Sequence, residues 1–175
     1  MKYLISLIVC LLTLYSCNKL KNVTFYENIN ESVNLPALNV GGGTDTFTTP
    51  DIPTNVEAQM KANNTSTNLV QSVSLQSMTL TITAPPGKTF ASLQDIRVFI
   101  LTDSVGQVEI ANKYNISSTS DTLNMNIDNV DLKPYLLTNS FKLNFITTST
   151  QGNTSALTLN VAMRFQFVAN LLAAL

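Results

Sequence analysis

The run Leu157-Thr158-Leu159-Asn160-Val161-Ala162-Met163-Arg164-Phe165-Gln166-Phe167 places an apolar side chain at every odd position. Thr158, Asn160, Arg164 and Gln166 stand among the even ones. Successive side chains of a strand point to opposite faces, so this spacing predicts a strand of about a dozen residues with its odd face in a core.

The same period recurs upstream. Phe141, Leu143 and Phe145 alternate with polar residues, as do Leu123, Met125 and Ile127 with Thr122, Asn124 and Asn126. Ile96, Val98 and Ile100 define a strand in which Phe99 and Leu101 are also apolar, which predicts a central position with both faces partly covered. From Leu69 onward the apolar positions run Val73 and Leu75, then Met78, Leu80 and Ile82. That change of parity near Gln76 and Ser77 predicts a β-bulge in one long strand. Val23, Phe25, Ile29, Val33 and Leu35 predict a first strand or two short ones.

The punctuation between these runs is short. Pro85-Pro86-Gly87 predicts a turn, as does Asp103-Ser104 before a short strand that Gly106 opens through Val108 and Ile110. Pro53 followed by the Glu57/Lys61 pair predicts a two-turn helix over 54–62, ended by Asn63 and Asn64. Asp131 to Leu137 predicts a helical turn with Leu132, Tyr135 and Leu136 toward the core. Gly41, Gly42 and Gly43, with Thr44, Asp45, Pro50 and Pro53, predict a flexible Gly-rich loop near 41–53. No Lys-Ser or Lys-Thr pair follows the glycines, as a phosphate loop requires.

Seven or eight strands with only short helical connectors predict an all-β chain: an antiparallel two-sheet β-sandwich, with a small β-barrel as the alternative. The pattern resembles immunoglobulin-like sandwiches of bacterial surface and periplasmic proteins, without their Cys and Trp hallmarks. Residues 23–175 are read as a single domain, which 175 residues with 45% hydrophobic content can support.

The N-terminus carries the most specific motif. Lys2 precedes an apolar run from Tyr3 to Leu14, about a dozen residues where a spanning helix needs about twenty. Leu14-Tyr15-Ser16-Cys17 follows directly and resembles the lipobox of bacterial lipoproteins. The resemblance implies that residues 1–16 are a signal peptide, that Cys17 is lipidated and becomes the first mature residue, and that 17–22 form a short tether. It implies a place in the cell envelope of a Gram-negative bacterium, with the outer membrane as the expected anchor, on its periplasmic face or at the cell surface. Two or three acyl chains meet the requirement that stable anchoring takes more than one lipid. Cys10 falls within the signal peptide, so neither cysteine is left for a disulfide.

Composition narrows the chemistry. The chain has no His and no Trp, and its 10 Lys plus Arg stand against 11 Asp plus Glu. Without histidine there is no Ser-His-Asp centre, no His-ligated zinc and no side chain whose ordinary pKa lies near neutrality. No Gly-x-Ser-x-Gly elbow occurs. A net charge of -1 with dispersed bases offers no stripe for a phosphate backbone, so no nucleic-acid partner is expected.

The remaining candidates are modest. Asp128, Asn129 and Asp131, with Asn126, bring four oxygen-bearing side chains within six residues, yet lack the glycine and terminal Glu of a calcium loop. Asp128 and Asp131 are therefore weak metal candidates, with Asx-turns as their ordinary role. Asp45 and Asp51 flank Phe47 and are considered as a carboxylate pair, with solvated loop acids as the default. Tyr26, Tyr114 and Tyr135 are candidates for a glycan platform, against an ordinary role at the core edge. Asn64 and Asn153 match glycosylation sequons by chance in an Asn/Thr/Ser-rich chain. The apolar stretch Asn170 to Leu175 is expected to dock on the domain.

These readings predict a non-catalytic, membrane-tethered envelope lipoprotein without a cofactor, acting as a structural, assembly or protein-binding component. A surface accessory that binds glycan or another ligand is the alternative, and a carboxylate-dependent envelope hydrolase comes third.

Overall fold

The computed structural model describes residues 22–37, 43–149 and 155–170. The signal peptide, Cys17 and the tether up to residue 21 lie outside these residues. So do Gly41, Gly42, Asn153 and residues 171–175.

Among the described residues, ten strands form two antiparallel sheets. They are β1 (Asn22–Leu35), β2 (Gly43–Thr48), β3 (Ile52–Pro53), β4 (Val70–Ala84), β5 (Leu93–Thr102), β6 (Gly106–Lys113), β7 (Thr122–Asn124), β8 (Asn126–Ile127), β9 (Ser140–Ser149) and β10 (Leu157–Asn170). The α-helices among the described residues are both short, α1 (Val56–Ala62) and α2 (Lys133–Leu136). The first sheet has the order β1-β10-β4-β7 and the second β2-β9-β5-β6-β8, with β3 also on β9. The arrangement is a two-sheet sandwich, not a closed barrel.

Every odd residue of β10 from Leu157 to Ala169 is buried. Its neighbours make the period visible: Phe167 stacks on Phe25 of β1 at 5.1 Å, in direct register. Phe165 reaches across to the other sheet, edge-on to Phe141 at 6.3 Å. The bulge expected in β4 is present, since Arg164 and Phe165 of β10 pair with Ser77 and Leu75 and skip Gln76. An extra residue returns the apolar side chains to the core after the parity change. β5 is internal to its sheet, between β9 and β6. In α2, Leu132, Tyr135 and Leu136 are buried as the spacing predicts. The turn before β6 ends on Gly106, whose φ of +90° is the backbone region that glycine enters without steric penalty.

Two expectations are corrected. The segment read as a flexible loop near 41–53 contains β2, paired with β9 from Gly43↔Ser149 to Thr48↔Asn144, and then β3. Between them Thr49 is buried, and its hydroxyl accepts from the Leu143 N–H at 2.9 Å, so β9 supplies the order that the local composition lacks. The run from Thr122 to Ile127 is not one strand. β7 pairs with β4 and β8 with β6, so the chain crosses from one sheet to the other at Met125, whose N–H donates to Met78.

Candidate functional site

The strand orders leave the two lateral sides of the sandwich unlike. On one side β7 and β8 are joined by the single residue Met125, where β1 and β2 are joined by residues 36–42, and Leu123 and Met125 are buried between the sheets. On the other side β1 ends one sheet and β2 the other, and among the described residues neither pairs with a further strand on its outer side.

This open side holds a cleft of about 420 Å³, lined by Glu31 to Asn34 of β1 and by Phe47 to Ile52 from β2 to β3. Val33 and Ile52 are buried, Phe47 is half-buried and Pro50 is exposed. Glu31 and Asp51 are the charged residues of the lining. Asp51 has Lys142 of β9 at 3.8 Å.

The register explains why acids occur here. The inward row of β1 is its odd set: Val23, Phe25, Glu27, Ile29, Glu31, Val33 and Leu35. Glu27 is 4% exposed, and its carboxylate accepts from the Asn55 N–H where α1 begins, while its Oε2 has no hydrogen-bond partner. Burial pushes its pKa up, opposed in part by the Asn55 N–H. Four residues of strand separate Glu27 from Glu31 by about 13 Å, too far for the 5–9.5 Å that a pair of carboxylates needs to act on one glycosidic bond. Inward charges on an edge strand are a known means of discouraging uncontrolled pairing. Sequence reasoning passed over both acids, although their odd positions matched those of Phe25 and Ile29.

The predicted candidates scatter. Asp131 Oδ1 accepts from the N–H groups of Val73 and Lys133 at 3.0 and 3.1 Å, the role of a turn residue that also ties α2 to β4. Asp128 accepts from the Asn112 side chain at 3.3 Å. Asp45 lies within β2 opposite Thr147, whereas Asp51 is in the following loop. Tyr135 is buried, but Tyr26 and Tyr114 are 44% and 47% exposed, which corrects their assignment to the core edge. They sit apart, Tyr26 on β1 and Tyr114 just beyond β6.

The outer face of the β1-β10-β4-β7 sheet is paved by rows such as Asn30-Ala162-Thr79-Asn124 and Ser32-Asn160-Thr81-Thr122. Tyr26 lies there beneath the Arg164 guanidinium, 4.2 Å from the ring centre. On the other sheet's outer face, Arg97 is hydrogen-bonded to Glu109 and stands 4.9 Å from the Phe99 ring, with Thr48, Asn144 and Gln107 joined in one hydrogen-bonded row.

No family model and no curated protein matches the chain. Among solved structures, it is similar to Desmodium yellow mottle tymovirus, at 12% identity and a TM-score of 0.28, over 85% of this chain and 90% of that one. It is similar to turnip yellow mosaic virus at 13% identity and a TM-score of 0.29, over 85% and 82%. It also resembles a structure of carbohydrate-binding modules from the β-sandwich superfamily, at 15% identity and a TM-score of 0.33, covering 83% of this chain and 56% of that one. At these values no function passes from those proteins to this chain.

Proposed function

We propose that the protein is a non-catalytic envelope lipoprotein that works by contact with a protein partner, tethered through a lipidated Cys17 at the outer membrane. The observation that carries the contact role is the open side: β1, the first strand after the tether, leaves one edge unpaired among the described residues, above a part-apolar cleft. The anchor rests on the Leu14-Tyr15-Ser16-Cys17 motif. Four residues lie between Cys17 and Asn22, a reach of at most about 18 Å over the five steps, so the domain is confined to a thin layer beside the bilayer. Confinement raises effective concentration, and a modest surface then suffices for useful binding.

Two experiments test this reading. Cys17→Ala should move the protein out of the detergent phase on fractionation; retention there with unchanged processing contradicts the anchor. Photo-crosslinkers at Pro50, Thr46 and Thr79, placed in turn on the open side and the two sheet faces, should trap a reproducible envelope protein in living cells.

One observation favours a second reading, since Glu31 and Asp51 line the same cleft. A carboxylate hydrolase would turn over generic esterase, glycosidase or peptidase substrates and lose that activity in Glu31→Gln or Asp51→Asn. Such a result, with no crosslink at any of the three positions, replaces the contact reading. An exposed Tyr26 beside Arg164 is the corresponding starting point for a glycan-binding accessory.

A further inference from the structure

We infer that the seam between β1 and β2 receives an extended segment of the partner as an added strand, with alternate apolar side chains in the cleft and a basic side chain beside Glu31 and Asp51. This rests on the contact reading above and specifies its surface and the chemistry of its partner.

The backbone argument comes first. An edge strand presents a row of N–H and C=O groups ready to pair with another chain. The β7/β8 side is bridged by the single residue Met125, whereas the β1/β2 side, whose strands are joined by residues 36–42, has among the described residues two such edges and a cleft between them. That cleft is lined by consecutive residues of β1 and by the run from Phe47 to Ile52, so it follows the strands. A strand laid there points every second side chain inward. Val33, Phe47, Pro50 and Ile52 offer those side chains apolar neighbours.

Charge selects the occupant. Among the described residues, Glu31 and Asp51 are the lining's only charged residues, Glu31 has no hydrogen-bond or ion-pair partner, and Asp51 has only a long contact with Lys142. A lysine or arginine on the incoming segment completes the pair. A second copy of β1 does not: Asn22 to Leu35 contains two acids and no base, so two such strands side by side would juxtapose like charges.

The test uses the full lipidated chain in detergent and a synthetic nonapeptide of alternating valine and threonine, with its central valine replaced by lysine. The peptide should bind, and backbone N-methylation of one alternate set of amides should abolish binding while methylation of the other set leaves it intact. Glu31→Lys should weaken the lysine peptide roughly fivefold and strengthen a glutamate version by a similar factor. Asp51→Lys, in an exposed loop, provides the same swap should Glu31→Lys fail to fold.

No binding, or equal binding of both methylated peptides, overturns strand addition. Concentration-dependent dimers of the peptide-free protein that vanish in Glu31→Lys assign the seam to a second copy and overturn the partner segment. In cells, crosslinks at Thr79 or Thr46 but none at Pro50 would defeat the seam while leaving the contact reading intact. Crosslinks at none of the three positions would defeat that reading itself.

Discussion

The sandwich closes its two lateral sides by different means. At the β7/β8 side the chain itself passes between the sheets, and Leu123 and Met125 fill the gap. At the β1/β2 side the link between the sheets is longer, residues 36–42 from β1 to β2, and β1 carries Glu27 and Glu31 in a row otherwise occupied by Val, Phe, Ile and Leu. Burying a carboxylate is unfavourable unless it is hydrogen-bonded, and Glu27 has only part of its capacity met. One side is therefore closed by apolar packing, and the other carries a buried carboxylate at a cost in stability.

The largest expected effect lies between the two sides, on the strand that supports both sheets. Phe165→Ala should cost roughly 3–5 kcal/mol in chemical denaturation, because Phe165 is fully buried against Phe141. Its neighbour Gln166 faces outward, and Gln166→Ala should stay within about 0.5 kcal/mol. Equal losses would show that the β10 register is wrong. On the closed side, Leu123→Ala should cost about 2 kcal/mol, the low end for a buried leucine, because β7 is only three residues long. A negligible loss would make that side as open as the other.

The open side should respond in the opposite direction. Because burial raises the Glu27 pKa above its ordinary 4.5, the folded chain holds that proton at higher pH than the unfolded chain does. The stability linked to the neutral acid is fully present below 4.5 and declines as pH rises through the folded value. Glu27→Gln should remove that decline, so its melting temperature relative to the parent should rise between mildly acidic and neutral pH. A constant difference across that range would exclude Glu27 as the cause. Smaller still, Arg164→Ala on the outer face of the same sheet should cost about 0.5–1 kcal/mol through its exposed contact with Tyr26.

Much of this architecture was legible where burial is one-sided and a strand is long. β10, the bulge at Gln76 and the inward residues of α2 follow from spacing alone. β2 escaped because an edge strand of six residues, with Phe47 as its single large apolar side chain, carries almost no alternation, and its order comes from β9. The crossing at Met125 was hidden for a different reason. Inward and outward residues alternate with the same period in either sheet, so a chain that changes sheets in mid-run keeps a perfect pattern. The open side was illegible because the sequence shows where acids occur on β1, but only the strand order shows that β1 is an edge.

Amide hydrogen exchange on the full lipidated chain, read residue by residue, tests the contrast between the two sides most directly. The account predicts that alternate amides of β1 from Glu31 to Asn34, those turned away from β10, exchange quickly in the free protein, and that the lysine-bearing nonapeptide protects them. It predicts that the Met125 amide, bonded to Met78, is slow throughout. Slow exchange of every β1 amide in the free protein, unchanged by the peptide, would contradict the claim that this side of the sandwich is open.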